Sequence, residues 1–166
     1  MKNSMHLFFW LIMVLNIPLS SCQTEEPNPN KEIVAEFFKV FNKRQDFERF
    51  LDFYNDTAVL EDIINGDRIE GKQALRSFFD WSNPDFELVE ESSLVVKEIT
   101  VDDNRVVVSG YFTPFKWGDT EFEAMHFTTL LTLNESGKII KQVDWINYPS
   151  NLVNYNTRKN SNTWLR

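Results

Sequence analysis

The sequence predicts an α+β domain in which helices cover one face of an antiparallel sheet. In the first half of the chain, apolar side chains recur at the spacing of an amphipathic helix. From Phe86 onward apolar and polar residues alternate, as in strands with one buried face. Because the helices precede the run of strands instead of alternating with it, the two kinds of element should form separate layers.

Helices are predicted at three places. The first runs from Lys31 to Asn42 behind an N-cap at Asn30, with Phe37 on its apolar stripe. Asp46 is predicted to cap the second. The third runs from Gly71 to about Trp81. Each carries an apolar face that requires a partner layer.

Strands are predicted from apolar or alternating runs bounded by turn residues. The first, Ala58 to Asp62, ends in two acids, and a turn at Asn65-Gly66 leads into a short extended piece, Arg68 to Glu70. The later strands are Phe86 to Thr100 (one long strand or a bent one), Arg105 to Thr113, Phe122 to Leu133 and Lys138 to Tyr148.

The N-terminus predicts a lipoprotein signal peptide over residues 1–21. Lys2 supplies a positive charge, and Leu7 to Leu15 is an apolar stretch too short to span a bilayer comfortably. Leu19 to Cys22 (LSSC) resembles the bacterial lipobox, in which the cysteine is lipidated. Cys22 is the only cysteine in the chain, so an internal disulfide is excluded and a lipid anchor is predicted. The alternative is an ordinary signal peptide with a cysteine near the cut.

The rest of the chain divides into a tether (residues 22–30), one domain (31–148) and a polar tail (149–166). The acidic stretch Gln23 to Glu26 either resembles a surface-sorting signal or is a solvated tether. We therefore expect a lipid-anchored protein of the bacterial cell envelope, in the outer membrane, with the membrane as a partner through Cys22. The face of that membrane is left open.

Composition excludes several kinds of function. A formal net charge of -8 argues against nucleic acid as a partner. Once the signal is removed, His126 is the only histidine, so a Ser-His-Asp triad or a zinc site has little to build on. The glycines are too scattered for a phosphate loop. No metal and no cofactor are predicted, and carboxylate chemistry is what remains.

Three motifs together resemble a known superfamily. They are FYNDTAVLED (Phe53 to Asp62), a G-x-x-x-x-G-K-x-x-L-R-x-F-F run (Gly66 to Phe79) and ESGKI (Glu135 to Ile139). The stretch from about Glu32 to Tyr148 is similar to the nuclear-transport-factor-2-like superfamily, which includes the SnoaL-like polyketide cyclases and the ketosteroid isomerases. The resemblance implies a cone-shaped, strongly bent antiparallel sheet wrapped around the N-terminal helices (a cystatin-like α+β barrel). A pocket is expected at its open end.

The resemblance also implies site residues. Asp62 takes the position of the isomerase general base. The isomerases' oxyanion donors are replaced here by Phe37 or Phe38 and by Thr129, which leaves no equivalent acid or phenol. Because each such donor stabilises a transition state by about 3–4 kcal/mol, steroid isomerase chemistry is not expected. Asp62 has a second interpretation, in which it accepts backbone N–H bonds from the turn after it.

Register decides which side chains of the last two strands face inward. We expect Leu133 to pair with Lys138. In that register, the more apolar face contains Phe127, Thr129 and Asp144. His126 then lies on the outer face across from Trp145, where many relatives form a homodimer. A three-residue turn would change this pairing, and Asp144 could instead be a solvated strand end.

These arguments give a set of candidate pocket residues: Phe37, Phe38, Tyr54, Asp62, Trp81, Tyr111, Trp117, Phe127, Thr129 and Asp144. Three functions stay open. The first is binding of a small, largely apolar ligand or a protein partner. The second is an isomerase, cyclase or hydrolase with Asp62 as its base. The third is a dimerisation module whose cone is filled.

Overall fold

The computed structural model describes residues 28–150, 152–153 and 161–165, so the predicted signal peptide and Cys22 lie outside the described part. Three α-helices of this part precede or interrupt the strands: α1 (Pro29–Lys43), α2 (Phe47–Asp52) and α3 (Lys72–Phe79). The strands are β1 (Tyr54–Asp62), β2 (Asp67–Glu70), β3 (Phe86–Leu88), β4 (Leu94–Asp102), β5 (Arg105–Phe112), β6 (Phe115–Trp117), β7 (Thr120–Phe122), β8 (Met125–Leu133) and β9 (Ile139–Ile146).

The main sheet has the strand order β2-β1-β9-β8-β5-β4, and a smaller sheet has the order β3-β6-β7. The main sheet is strongly curved but not closed. The α+β class and the cone are therefore confirmed. One expectation is wrong: β1 and β9 run parallel, so the sheet is mixed. No hairpin joins these two strands, so the direction of β9 follows from its hairpin with β8.

The helix starts follow capping chemistry. Asp46 caps α2 as predicted, and its Oδ1 accepts the Arg49 N–H at 2.9 Å. The predicted cap at Asn30 is wrong, because Asn28 caps α1 by accepting the Asn30 N–H at 2.9 Å. Pro29 occupies the first turn, where an N–H is not needed.

Several strand bounds differ from the prediction. β1 begins at Tyr54, four residues before the predicted Ala58. The predicted strand from Phe86 is two strands, because β3 pairs with β6 in the small sheet while β4 pairs with β5. The predicted strand from Phe122 is likewise divided between β7 and β8.

The β8–β9 register differs from the prediction by two residues. Thr129 pairs with Asp144, where Gln142 was expected. The connection between β8 and β9 is longer than predicted. Within it the Asn134 side chain accepts the Lys138 N–H at 2.9 Å, and after a shift in the pairing at Thr132 and Leu133, Leu133 pairs with Ile139. A shift of two keeps the alternation, so most of the predicted inward face is confirmed. At the start of β9 the prediction is wrong, because Ile139 is fully buried and Ile140, which was expected to face inward, is exposed.

Aromatic rings dominate the core between α1, α2 and the main sheet. Phe37 is fully buried and contacts the rings listed here at centroid distances of 5.0 to 6.2 Å: Phe38, Phe41, Phe50, Phe53 and Tyr54. A separate cluster forms under the small sheet around Phe115, Phe122 and Met125. None of the helices in the described part is long and apolar enough to cross a bilayer.

Candidate functional site

A cavity of about 380 Å³ lies between the main core and the small sheet. The small sheet supplies one apolar wall, formed by Phe86, Leu88, Phe115 and Trp117. Register explains this wall, because β3 pairs antiparallel with β6 and aligns these side chains opposite one another. The main sheet and α1 supply the opposite wall, formed by Phe41, Phe112, Met125 and Ile146. Leu152 closes part of the space from the segment after β9.

Among the residues that the structure describes, four amide or hydroxyl side chains also line the cavity, and each is hydrogen-bonded within the protein. Ser93 Oγ donates to the Phe41 carbonyl at 3.2 Å, and Thr113 Oγ1 donates to the Ser92 carbonyl at 2.5 Å. The two others are Asn65, whose Nδ2 donates to Asp67 Oδ2 at 2.9 Å, and Tyr148, whose hydroxyl donates to Asp62 Oδ2 at 2.5 Å.

Arg44 adds a charge to the lining. It is the C-cap of α1, with a left-handed φ of 48°. Its guanidinium lies over the Phe86 ring at 4.2 Å and over the Trp81 ring at 5.1 Å. Burial lowers the pKa of Arg44 to about 10, so the group remains a cation at neutral pH.

Asp62 ends β1, and the residue is buried, at 2% exposure. Its Oδ1 accepts the backbone N–H groups of Ile64 at 3.0 Å and Asn65 at 2.9 Å, and its Oδ2 accepts the Tyr148 hydroxyl. Burial raises the pKa of Asp62, and these hydrogen bonds oppose the rise. Asp62 itself does not line the cavity. It is connected to that space through Tyr148.

Asp144 lies beside Asp62, because β1 and β9 pair these two residues in parallel register. Asp144 Oδ1 accepts the Thr129 hydroxyl at 2.6 Å, and its Oδ2 accepts Gln142 Nε2 at 2.8 Å. Gln142 Oε1 accepts the Tyr54 hydroxyl at 2.6 Å. Burial, with a smaller contribution from the charge of Asp62, raises the pKa of Asp144 to about 6 despite these donors. We call Tyr54, Thr129, Gln142 and Asp144 the buried polar network.

The structure brings some of the predicted pocket residues to the cavity and places others elsewhere. Trp117 lines it, and Trp81 lies next to it, under Arg44. Phe37, Tyr54 and Phe127 are core side chains. Whether any of them contacts a ligand stays a prediction.

Phe38 and Tyr111 lie away from this space. Phe38 stacks on the Phe127 ring and lines a separate groove between α1 and β4. Tyr111 is on the outer face of β5, opposite His126 and under the Lys97 ammonium. His126 is exposed on the outer face as predicted, but Trp145 pairs with Thr128 instead.

Sequence reasoning missed Arg44, Phe115 and Tyr148. Tyr148 had a usable signal, since it continues the inward alternation of Asp144 and Ile146. Arg44 lies in a polar connection between two helices, where charged residues are common. No group of three or more His, Cys, Asp or Glu side chains in the described part could hold a metal ion.

Comparisons with known proteins agree with this architecture. The family model described as a SnoaL-like domain matches residues 34–142. None of the curated proteins matches the chain significantly.

Solved structures are similar at low identity. A candidate SnoaL-like polyketide cyclase from Shewanella putrefaciens is 16% identical, with a TM-score of 0.62 over 74% of this chain and 93% of that one. A candidate ketosteroid isomerase from Kribbella flavida is 18% identical, with a TM-score of 0.55 over 75% of this chain and 87% of that one. A protein with a ketosteroid isomerase-like fold from Catenulispora acidiphila, in complex with trimethylamine, is 14% identical, with a TM-score of 0.59 over 82% and 98%.

Proposed function

The chain belongs to the SnoaL-like domain family, and on that premise we propose that its domain binds a small, largely apolar ligand in the cavity between its two sheets. The observation that carries this proposal is the cavity itself. Its volume of about 380 Å³ falls in the range of small-molecule sites, about 300–1,000 Å³. Aromatic and aliphatic walls with a few polar groups are the usual lining of such sites.

The open space argues against a domain that is only a dimerisation module. In that alternative the interior would be filled by side chains, as a protein core normally is. Here the buried residues of the main core and those under the small sheet form two clusters that are joined through Phe112 and Ile146, and the cavity lies between them.

Catalysis with Asp62 as general base is the second candidate. It is favoured by the Tyr148 hydroxyl, which lines the cavity and bonds to the Asp62 carboxylate. A base must reach the proton it removes, directly or through one bridging group. Both Asp62 oxygens are already acceptors, and the carboxylate lies behind Tyr148, so binding without turnover fits the geometry better.

A fluorescence titration tests the binding proposal. The processed chain, residues 22–166 with Cys22→Ala, is titrated with the neutral fluorophore phenylnaphthylamine. We expect saturable binding that Leu88→Trp weakens by about tenfold, or about 1.4 kcal/mol, because the larger ring occupies the cavity. Val107→Trp, on the outer face of β5, is the matched control and should bind normally. Absence of saturable binding, or equal binding by both variants, would overturn the proposal.

We further propose that Cys22 anchors this domain to the bacterial envelope. The basis is the sequence: a charged N-terminus, the apolar stretch Leu7 to Leu15 and the lipobox-like LSSC ending in Cys22. Cys22→Ala in the full chain should prevent lipidation, and metabolic labelling with a fatty-acid analogue measures it. Equal label on the wild-type and variant chains would refute the anchor.

A further inference from the structure

We propose that the ligand is an organic anion, a small amphipathic carboxylate whose charged group pairs with Arg44 while its body occupies the cavity. This inference rests on the proposed function and adds the chemical class of the ligand. It is carried by the surroundings of the Arg44 guanidinium: its fixed position at the cavity and the absence of an anionic partner among the described residues.

Arg44 is held at the cavity by backbone geometry. Its own N–H donates to the Val40 carbonyl at 3.1 Å as α1 ends, and its φ of 48° turns the chain out of the helix. The side chain then reaches over Phe86 of the small sheet, which lines the same cavity. The position of this cation is therefore set by the fold.

The guanidinium has no anionic partner within the described part of the chain. The salt bridges there involve Lys39, Arg68, Lys72, Arg76 and Lys141, and none of the described Asp and Glu residues lines the cavity. Burial lowers the Arg44 pKa, and no carboxylate among the described residues opposes that shift. Among the charged, amide and hydroxyl side chains of the lining, Arg44 alone has no hydrogen-bond partner in the described residues.

The side chains of Arg44 and the adjacent Trp81 carry N–H donors that have no acceptor in the described part of the chain. A guanidinium carries five N–H donors and cannot accept. The neighbouring Trp81 also has a buried indole N–H without a partner in the described part of the chain. The Trp81 and Phe86 rings attract the cation through their faces, but they leave these N–H groups unsatisfied. A ligand in the cavity with acceptor oxygens would satisfy those of Arg44.

The charge also distinguishes between ligand classes. A neutral apolar ligand would exclude water from the guanidinium without replacing its hydrogen bonds, so it should bind more weakly than an anion of similar size. A carboxylate offers two oxygens in the geometry that matches the planar fork of arginine. The apolar walls then favour an anion that carries a hydrocarbon or aryl body over a small inorganic ion.

Decanoate and decanol form a matched pair of probes, because they share a chain length and differ in charge. Each is used to displace phenylnaphthylamine from the processed Cys22→Ala chain at about pH 8, where decanoate is ionised. We expect decanoate to compete about tenfold better than decanol. Arg44→Gln should abolish this preference while decanol binding persists, which also shows that the variant is folded. Arg49→Gln is the control, since it removes the same charge from an exposed position of α2 next to Phe53 and should keep the preference.

Each outcome separates this inference from the function on which it rests. Equal or better competition by decanol would overturn the anion proposal and leave ligand binding intact. An unchanged preference in Arg44→Gln would also overturn it, because the charge would then act from elsewhere. Failure of both probes and of the fluorophore to bind would overturn the proposed function itself. The comparison of the two probes on the wild-type cavity decides the anion question without any substitution in it.

Discussion

Replacing Asp144 with Asn should stabilise the domain at alkaline pH. Asp144 lies in the core with two hydrogen-bond donors and no cation beside it among the described residues, and burial raises its pKa from 3.8 to about 6. An acid whose pKa is higher in the folded state favours folding when protonated. Its stabilising contribution is therefore complete below about pH 4 and is lost as the pH rises through about 6.

The magnitude follows from the shift. A rise from 3.8 to about 6 corresponds to about 3 kcal/mol of unfolding free energy, of which roughly half is lost between about pH 5 and pH 8. Asn removes the ionisation and can keep the buried polar network. Thr129 still donates to its oxygen, and rotation of the Gln142 amide lets Gln142 accept from Asn and donate to Tyr54.

Urea unfolding between about pH 5 and pH 8 measures this effect. The wild-type chain should lose stability across that range, and Asp144→Asn should lose about 1–2 kcal/mol less. Asp119→Asn, in the exposed turn between β6 and β7, is the control and should follow the wild type. The explanation fails if Asp144→Asn shows the wild-type pH dependence, or if it is less stable than the wild type at about pH 8.

Two further substitutions test other parts of the structure by urea unfolding. Tyr148→Phe removes the hydroxyl that bonds to Asp62, so it should lower the unfolding free energy by about 1–3 kcal/mol and raise the Asp62 pKa further. An unchanged unfolding free energy would contradict this contact. Phe37→Ala should lower the unfolding free energy by about 3–5 kcal/mol, because the ring is fully buried among other rings. Phe78 is 42% exposed, so Phe78→Ala should lower it by less than about 1 kcal/mol. Similar losses for the two variants would show that the core is misplaced.

The sequence predicts the layers of this fold because they depend on periodicity. Apolar stripes in α1 and alternation in β8 and β9 survive small errors in the bounds of an element. The inward positions of Thr129 and Asp144 illustrate this, since a register error of two residues leaves both on the same face.

Other features of the fold have no periodic signal. The strands of the small sheet are three residues long, too short for alternation to be recognised. The parallel pairing of β1 with β9 joins segments distant in the chain, and no turn motif specifies it. The five-residue connection after Leu133 depends on hydrogen bonds of the Asn134 side chain, which alternation alone does not reveal.

The site was partly predictable. Asp62 was expected either to line a pocket or to accept N–H bonds from the following turn, and the structure shows the second of these contacts. The cavity could not be located from the sequence, since its walls come from α1, the small sheet and the main sheet. Arg44 belongs to the site only because Phe86, far along the chain, lies beneath its guanidinium.

A methyl NMR titration of the processed chain with phenylnaphthylamine tests the central claim most directly, because it shows both binding and its location. We predict that signals of Leu88, Met125 and Ile146, which line the cavity, shift and saturate together. Val107 and Ile140, exposed on the outer side of the main sheet, should not shift. Shifts centred on Val107 and Ile140, or no saturable shift at the cavity residues, would contradict the assignment of this cavity as the ligand site.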